Sequence, residues 1–401
     1  MDRPDCRSIF HPVTVATTPN GGRQMTSTIG VGIIGAGADR GWARAVHIPA
    51  LKALAGDFEI RAVSTTRMET ARRSAEAAGA RLAFDNAPDL AAHPDVDLVV
   101  VAVNVTQHLE AVRAAIGAGK MVYCEWPLGR NLDEAEELAR LARERAVRTI
   151  IGLQGRFSPA VRWLRDLVRE GWLGNVLGVS LRGTGPDDVW KGLLDAPYEF
   201  HADVANGATM LTIPAGHALD MLAFALGEFT ELDAKLLARR AEAVRLRDGA
   251  RLPLTAPDEV AIHGILANGA LASVRYHGGR TAGPDFIWEV HGTDGNLALV
   301  AESGYANITP LSVRGSRAKA PLETMVLPAV YDPPLRHLPS AAINVAAVYA
   351  QLAKDLREGS ALAPGFETAL RRHRLLAAIE RSSALGARQS LGNAAMASTG
   401  K

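Results

Sequence analysis

Seven residues, Gly35-Ala36-Gly37-Ala38-Asp39-Arg40-Gly41, lie between an apolar run, Thr28 to Gly35 (TIGVGIIG), and a stretch, Ala43 to Leu54, whose Ala, Val, Ile and Leu recur at helical spacing. Strand, glycine turn and helix in that order point to a parallel α/β fold, because a strand followed by a helix crosses over to reach its next partner. The alternation continues. Phe58 to Ser64 predicts a second strand, Met68 to Ala78 a helix, and Val96 to Val103 (VDLVVVAV) a strand buried on both faces of a parallel sheet. Helices are expected at Thr106 to Ala118 and Leu132 to Arg145, and strands at Met121 to Cys124 and Thr149 to Leu153. Residues 28–155 are therefore expected to form a Rossmann domain, a doubly wound parallel sheet.

From about Ser158 the rhythm changes. A helix at Ala160 to Glu170 and a strand at Val176 to Arg182 precede a helical pattern, Ala208 to Leu226, interrupted by Pro214. Extended stretches follow at Glu231 to Leu237, Glu259 to Leu266, Leu271 to Tyr276, Phe286 to His291 and Asn296 to Val300. Asn268-Gly269 and Asp294-Gly295 each separate two of them, a strong hairpin signal. Two helices, Ala341 to Arg357 and Phe366 to Leu385, close the pattern. Residues 156–385 thus predict an α+β domain with a largely antiparallel, open-faced sheet for substrate binding and oligomerisation, its last helices packing back toward the Rossmann domain. Residues 1–27 read as a disordered lead-in, with Met25 a possible natural start, and 386–401 as a flexible tail.

Composition narrows the function. The net charge is +1 and aromatic residues are 5% of the chain, which argues against a nucleic-acid or anionic-membrane partner. The longest purely apolar stretch, near Leu98 to Val103, is far shorter than the roughly 20 residues of a bilayer span, and the N-terminus has no apolar signal region. The two cysteines, Cys6 and Cys124, form no disulfide framework, so a reducing cytoplasm fits. No H-x-x-x-H or H-E-x-x-H spacing occurs, so no metal is expected.

In its strand-turn-helix setting the glycine cluster has chemical meaning. Glycine lets the backbone approach a pyrophosphate, and a helix N-terminus stabilises its charge. Gly35, Gly37, Ala38, Gly41 and Trp42 are the expected contacts, although the third glycine comes one residue later than in G-x-G-x-x-G. At the end of the second strand an acidic residue would accept from an NAD ribose, but the chain has Ser64-Thr65-Thr66-Arg67. Hydroxyls from Thr65 and Thr66 with the Arg67 guanidinium suit a 2′-phosphate, which favours NADP over NAD; the plainer alternative for Arg67 is a solvated helix start.

Further motifs carry a resemblance. Asn104 and His108, Gly119-Lys120 leading into Val122-Tyr123-Cys124-Glu125-Trp126-Pro127-Leu128, then Gln154-Gly155-Arg156-Phe157-Ser158-Pro159, Gly171-Trp172-Leu173-Gly174, and Asn206-Gly207 running to Gly216-His217-Ala218-Leu219-Asp220 occur in that order. Together they resemble the glucose-fructose oxidoreductase, inositol dehydrogenase and rhizopine-catabolism family (Gfo/Idh/MocA), and within it the branch containing the fungal galactose-regulon repressor. The resemblance implies a nicotinamide-dependent oxidoreductase acting on a sugar, polyol or related hydroxylated molecule, assembled as a homodimer or homotetramer. For the repressor's branch it also implies an alternative, a catalytically weak or silent dinucleotide-binding sensor that works through protein contact.

The same likeness places Asn104, His108, Glu125, Trp126 and Pro127 at the cofactor, with Pro127 after a cis peptide. Members of the family usually have lysine where this chain has Trp126, and aspartate four residues before the histidine, where this chain has Ile213. Of that set His217 alone remains, as the candidate acid/base. Tyr198 and His201 are further catalytic candidates, and Gln154, Arg156, Lys191, Asp203 and Asn206 candidate substrate contacts. The plainer reading is a structural histidine and ordinary polar loop residues.

Overall fold

The computed structural model describes residues 28–392 apart from 280, 319 and 333–334, together with the backbones of Val15–Thr17 and Arg23–Met25, which pair antiparallel. Beyond that pair, the lead-in expected over 1–27 lies outside the described residues, as does the tail from 393.

Six parallel strands form the N-terminal sheet: β1 (Ile29–Ile34), β2 (Phe58–Ser64), β3 (Leu82–Phe84), β4 (Leu98–Val101), β5 (Met121–Cys124) and β6 (Thr149–Ile151), in the order β3-β2-β1-β4-β5-β6. β1 and β4 are buried at every position, which is why their sequences lack alternation. Between strands run α1 (Ile48–Ala53), entered through a π-turn at Ala43–His47, then α2 (Met68–Ala78), α3 (Ala87–Ala92), α4 (His108–Gly117) and α5 (Leu132–Glu144). The sequence reading missed β3 and α3. Three half-buried edge residues carry no period, and α3 is one short turn-like helix capped by Asn86, whose side chain accepts from the Asp89 amide at 2.8 Å.

The second domain contains α6 (Pro159–Arg169), α7 (Gly216–Leu226), α8 (Ser340–Glu358) and α9 (Phe366–Leu385). Beside a small sheet of Leu193–Leu194, Glu242–Arg245 and Arg251–Pro253, the nine strands of its large sheet are β7 (Val176–Gly185), β8 (Phe229–Leu237), β9 (Glu259–Leu266), β10 (Leu271–Gly278), β11 (Phe286–Gly292), β12 (Gly295–Ala301), β13 (Ser312–Arg317), β14 (Glu323–Met325) and β15 (Gln389–Ser390). They are ordered β14-β13-β12-β11-β7-β10-β9-β8-β15, and every neighbouring pair is antiparallel except β7 with β10. The chain therefore does not leave the fold at 386, because Gln389 and Ser390 extend the sheet against β8. Both glycine hairpins form, β9 to β10 and β11 to β12. Along β9 and β10 buried residues alternate with exposed ones, so one face packs on α6, α7 and α9 while the other is open.

The core runs through both domains. On one side of the parallel sheet α8 packs Val345, Val348 and Tyr349 against Val46, Leu51 and Phe58. On the other, the packing around α4 and α5 continues into α6, α7, α9 and the second sheet. Val204–Leu226 is apolar and long enough by composition to cross a membrane, but 89% of its 18-residue apolar window is buried in this core. Pro214 breaks its helix into a π-turn, Leu211–Ala215, followed by α7.

Candidate active site

A cavity of about 340 Å³ opens beyond the carboxyl ends of β4, β5 and β6, where they meet the second domain. Its first wall comes from Trp42, Asn104, His108, Glu125, Trp126, Pro127 and Gln154, and its second from Asp187, Phe200, Ile213, His217, Tyr305 and Asn307.

The glycine turn stands beside it. Gly35 has φ +91°, and a side chain there would meet the Ala102 carbonyl at 2.8 Å; one at Gly37 would meet the Arg40 carbonyl at 2.8 Å. Gly41 has φ +113°, so the extra residue before the third glycine is absorbed without a strained side chain. Ala38 lies between them, half-buried. At the end of β2 the Thr65 hydroxyl bonds Thr70 at 2.6 Å and the Arg67 carbonyl at 3.0 Å, which ties it into the start of α2. Thr66 and Arg67 are exposed.

Glu125 is almost buried, and its Oε1 accepts from His47 Nε2 at 3.0 Å. The Trp126–Pro127 peptide is cis. Trp126 Nε1 donates to the Thr212 carbonyl at 2.7 Å and its ring packs on His373 at 4.9 Å. The indole thus fills the wall without offering a donor to the cavity. Asn104 accepts from the Thr106 hydroxyl. His108 lies between two carbonyls, Pro127 at 2.8 Å and Val103 at 3.1 Å, and burial lowers its pKa. A neutral ring donates to one of these carbonyls only, and with the Cys124 thiol also 3.4 Å from Nδ1 both nitrogens face the protein, so neither is left for a ligand.

His217 is 7% exposed, and its Nδ1 has no partner among the described residues. Burial lowers its pKa to about 4, against the opposing pull of Glu125 and Asp220, so the ring is neutral near pH 7. Gln154 is 1% exposed with both amide atoms unpartnered, and Asn307 Oδ1 and Trp42 Nε1 are likewise buried and unpartnered. Four side chains that line one cavity, two from each wall, and hold buried polar atoms without partners among the described residues are the mark of a ligand site, because such atoms are ordinarily satisfied. With the glycine cradle, they fit a dinucleotide.

Other candidates stand elsewhere. Arg156 forms a two-bond pair with Asp220, both contacts 2.6 Å, inside a buried network with Arg372 and Glu228, and does not reach the cavity. Lys191 pairs with Asp188, Tyr198 is 52% exposed, and Asp203 Oδ1 accepts from the Ala205 amide at 2.9 Å. His201 is held by the Ala208 carbonyl at 2.9 Å and burial lowers its pKa to about 4, while Asn206 donates to the Phe200 carbonyl at 2.9 Å. These side chains shape the loop that carries Phe200 rather than line the cavity. No group of three or more potential metal ligands occurs among the described residues.

Sequence reasoning missed Asp187, Phe200, Tyr305 and Asn307 on the second wall, and His47 behind the first. Tyr305 accepts from Trp190 Nε1 and bonds Asp187, an arrangement spread over more than a hundred residues with no local signal.

Comparison with known proteins agrees with this geometry. Residues 29–153 match the oxidoreductase family with an NAD-binding Rossmann fold, and residues 159–301 the Gal80p C-terminal domain. The galactose/lactose metabolism regulatory protein GAL80 of Saccharomyces cerevisiae is 30% identical over 77% of this chain and 73% of its own length. A super-repressor mutant of that protein superposes with TM-score 0.82 at 26% identity, covering 93% of this chain and 100% of the solved one. Dehydrogenase aclE of Aspergillus oryzae is 42% identical over 52% of this chain and 58% of its own length. Levoglucosan dehydrogenase, solved in complex with NADH, has TM-score 0.78 at 20% identity, covering 91% of this chain and 100% of the other, a likeness of fold.

Proposed function

Because the chain belongs to the Gfo/Idh/MocA oxidoreductase family and carries a C-terminal domain of the Gal80 type, we propose that it is an NAD(P)-dependent oxidoreductase acting on a sugar, polyol or related hydroxylated small molecule. The observation that carries this reading is that His217, Gln154, Asn307 and Trp42, each with a buried polar atom lacking a partner among the described residues, line one cavity beside the glycine turn.

Gly35, Gly37 and Gly41 would hold the pyrophosphate, and Glu125 the carboxamide end of the nicotinamide. Thr66 and Arg67, both exposed, would meet a 2′-phosphate and favour NADP. The bound nicotinamide supplies the hydride acceptor or donor. His217, neutral in its buried setting, accepts the substrate's hydroxyl proton on its ring, where the Glu125 and Asp220 carboxylates stabilise the resulting cation. Gln154 and Asn307 hydrogen-bond further hydroxyls, while Trp126 and Phe200 pack on the carbon face of the ring. The open face of the second sheet is where a second copy would pack, giving a homodimer or homotetramer.

A second reading has one specific observation in its favour. Trp126 and Ile213 stand where the family's lysine and aspartate would be, and the indole N–H is spent on Thr212, so nothing there polarises a carbonyl. That favours a dinucleotide-dependent regulator, and GAL80 is named a galactose/lactose metabolism regulatory protein. The test is titration of the purified protein with NAD and NADP, then a screen of sugars and polyols by nicotinamide absorbance. Turnover supports the enzyme, tight binding without turnover supports the regulator, and absence of binding refutes both.

A further inference from the structure

Behind the cavity wall, two side chains that the proposed reaction does not use, His47 and Tyr349, connect to Glu125, which it does. Glu125 Oε1 accepts from His47 Nε2 at 3.0 Å, and His47 Nδ1 lies 2.8 Å from the Tyr349 hydroxyl. His47 and Tyr349 are fully buried, the tyrosine stacked on Tyr123 at 5.1 Å and the imidazole edge-on to the same ring at 5.1 Å. A carboxylate only accepts, so Nε2 carries the ring proton; in the neutral ring Nδ1 then accepts from the tyrosine O–H. The direction of every bond is thereby set, Tyr349 to His47 to Glu125. Gly152 confines the carboxylate from the other side, since a Cβ there would lie 2.8 Å from both of its oxygens. Oε2 accepts no hydrogen bond from the described residues, and Glu125 belongs to the cavity wall.

Building on the dinucleotide reading, we infer that His47 and Tyr349 are positioning residues that fix the Glu125 carboxylate with one oxygen turned to the cavity, so that the site selects a ligand bearing an amide N–H donor at that point. Tyr349 sits on α8, about 300 residues along the chain from His47, so a helix late in the chain braces the ligand wall. The carboxylate itself requires the N–H at Nε2, and the Tyr349 hydroxyl anchors the opposite nitrogen, so the ring is held at both ends in the orientation that serves Glu125. Without that hydroxyl the imidazole keeps one anchor and is freer to turn, and the carboxylate with it.

The test compares calorimetric affinities for three probes: NAD, its 3-acetylpyridine analogue, which has a methyl ketone in place of the carboxamide and so no N–H, and ADP-ribose, which lacks the ring. Wild type is expected to prefer NAD over the analogue by about 10-fold or more, the effect of one charge-assisted hydrogen bond. His47→Leu should erase most of that preference while leaving ADP-ribose affinity within about twofold. His47→Gln, which keeps an N–H donor, should restore part of it, and Tyr349→Phe should fall between. If His47→Leu does not fold, the Tyr349→Phe and His47→Gln pair carries the comparison.

Equal wild-type affinity for NAD and the analogue overturns the inference. So does a uniform loss toward all three probes in the variants, which would make the pair merely structural. Failure of wild type to bind NAD, NADP and ADP-ribose would overturn the dinucleotide reading itself, and the inference with it.

Discussion

Asp220→Asn separates a structural role for Arg156 from the substrate contact that its motif suggests. The Asp220 carboxylate is 1% exposed, takes both Arg156 contacts at 2.6 Å and lies 3.7 Å from Arg372 Nε. Asparagine keeps the shape and one acceptor oxygen, but its NH₂ turns a donor toward a guanidinium donor and the negative charge is lost. Two arginines then share Glu228 as their remaining carboxylate. Removing one partner of a buried ion pair costs about 3–5 kcal/mol, and the 16% exposure of the Arg156 side chain argues for the lower end. Unfolding entropy of about 2.1 cal/mol/K per residue amounts to about 0.8 kcal/mol/K for a chain of this length, so about 3 kcal/mol lowers the melting midpoint by about 4 °C. Scanning calorimetry of both proteins in one buffer measures this, and Arg156→Lys, which keeps the charge but loses the paired geometry, should give a smaller fall. An unchanged midpoint with weakened substrate affinity would refute the reasoning and put Arg156 back in the site.

His217→Ala is expected to lower turnover by about 10²- to 10⁴-fold with dinucleotide affinity nearly unchanged, read by steady-state kinetics and titration. Because the pKa values of His217 and His201 are lowered to about 4 and that of His373 to about 3, the unfolded chain binds more protons than the folded one between those values and about 6.5; stability is therefore full above pH 6.5 and falls as the pH drops toward 4, as urea unfolding across that range would record. Arg67→Ala should weaken NADP by about 1–3 kcal/mol and NAD far less, and equal losses in a titration would contradict the 2′-phosphate contact. Light scattering at micromolar concentration should give a dimeric or tetrameric mass.

Where the signal was local, the sequence carried it. Gly35 and Gly41 are legible because a positive φ, joined at Gly35 by a close backbone approach, leaves glycine as the residue that fits, and β9 and β10 because alternation along a strand marks the buried face. The candidate residues were harder, since the same motif letter serves as ligand contact or as internal brace according to partners far away in the chain. His108 is taken up by Val103 and Pro127, and Arg156 by a carboxylate 64 residues on. Polarity in the loop that holds Lys191, Tyr198, His201, Asp203 and Asn206 could not say which side faces the cavity; the chain turns Phe200 there instead. Asn307 and Tyr305 follow no periodic segment, so nothing in the order of residues distinguished them from any other turn.

The two departures from the family pattern are best understood as one change. The Trp126 indole N–H is anchored on the carbonyl of Thr212, next to Ile213, and Gly216 leaves room beneath it, since a Cβ there would lie 3.0 Å from Nε1. An ammonium placed at position 126 by itself would face isoleucine rather than a carboxylate, in a wall where neighbouring histidines are already held neutral by burial. Desolvation would push such a lysine toward its neutral form, which cannot polarise a carbonyl, and would leave the volume of the indole empty. Losing the aspartate removes the reason to keep the lysine, and losing the lysine favours an apolar partner that packs. On the oxidoreductase reading, chemistry in this cavity would therefore fall to His217 with its two nearby carboxylates. A proton accepted there is stabilised by charges already in place, whereas hydride transfer gains nothing from the tryptophan except a surface to pack on.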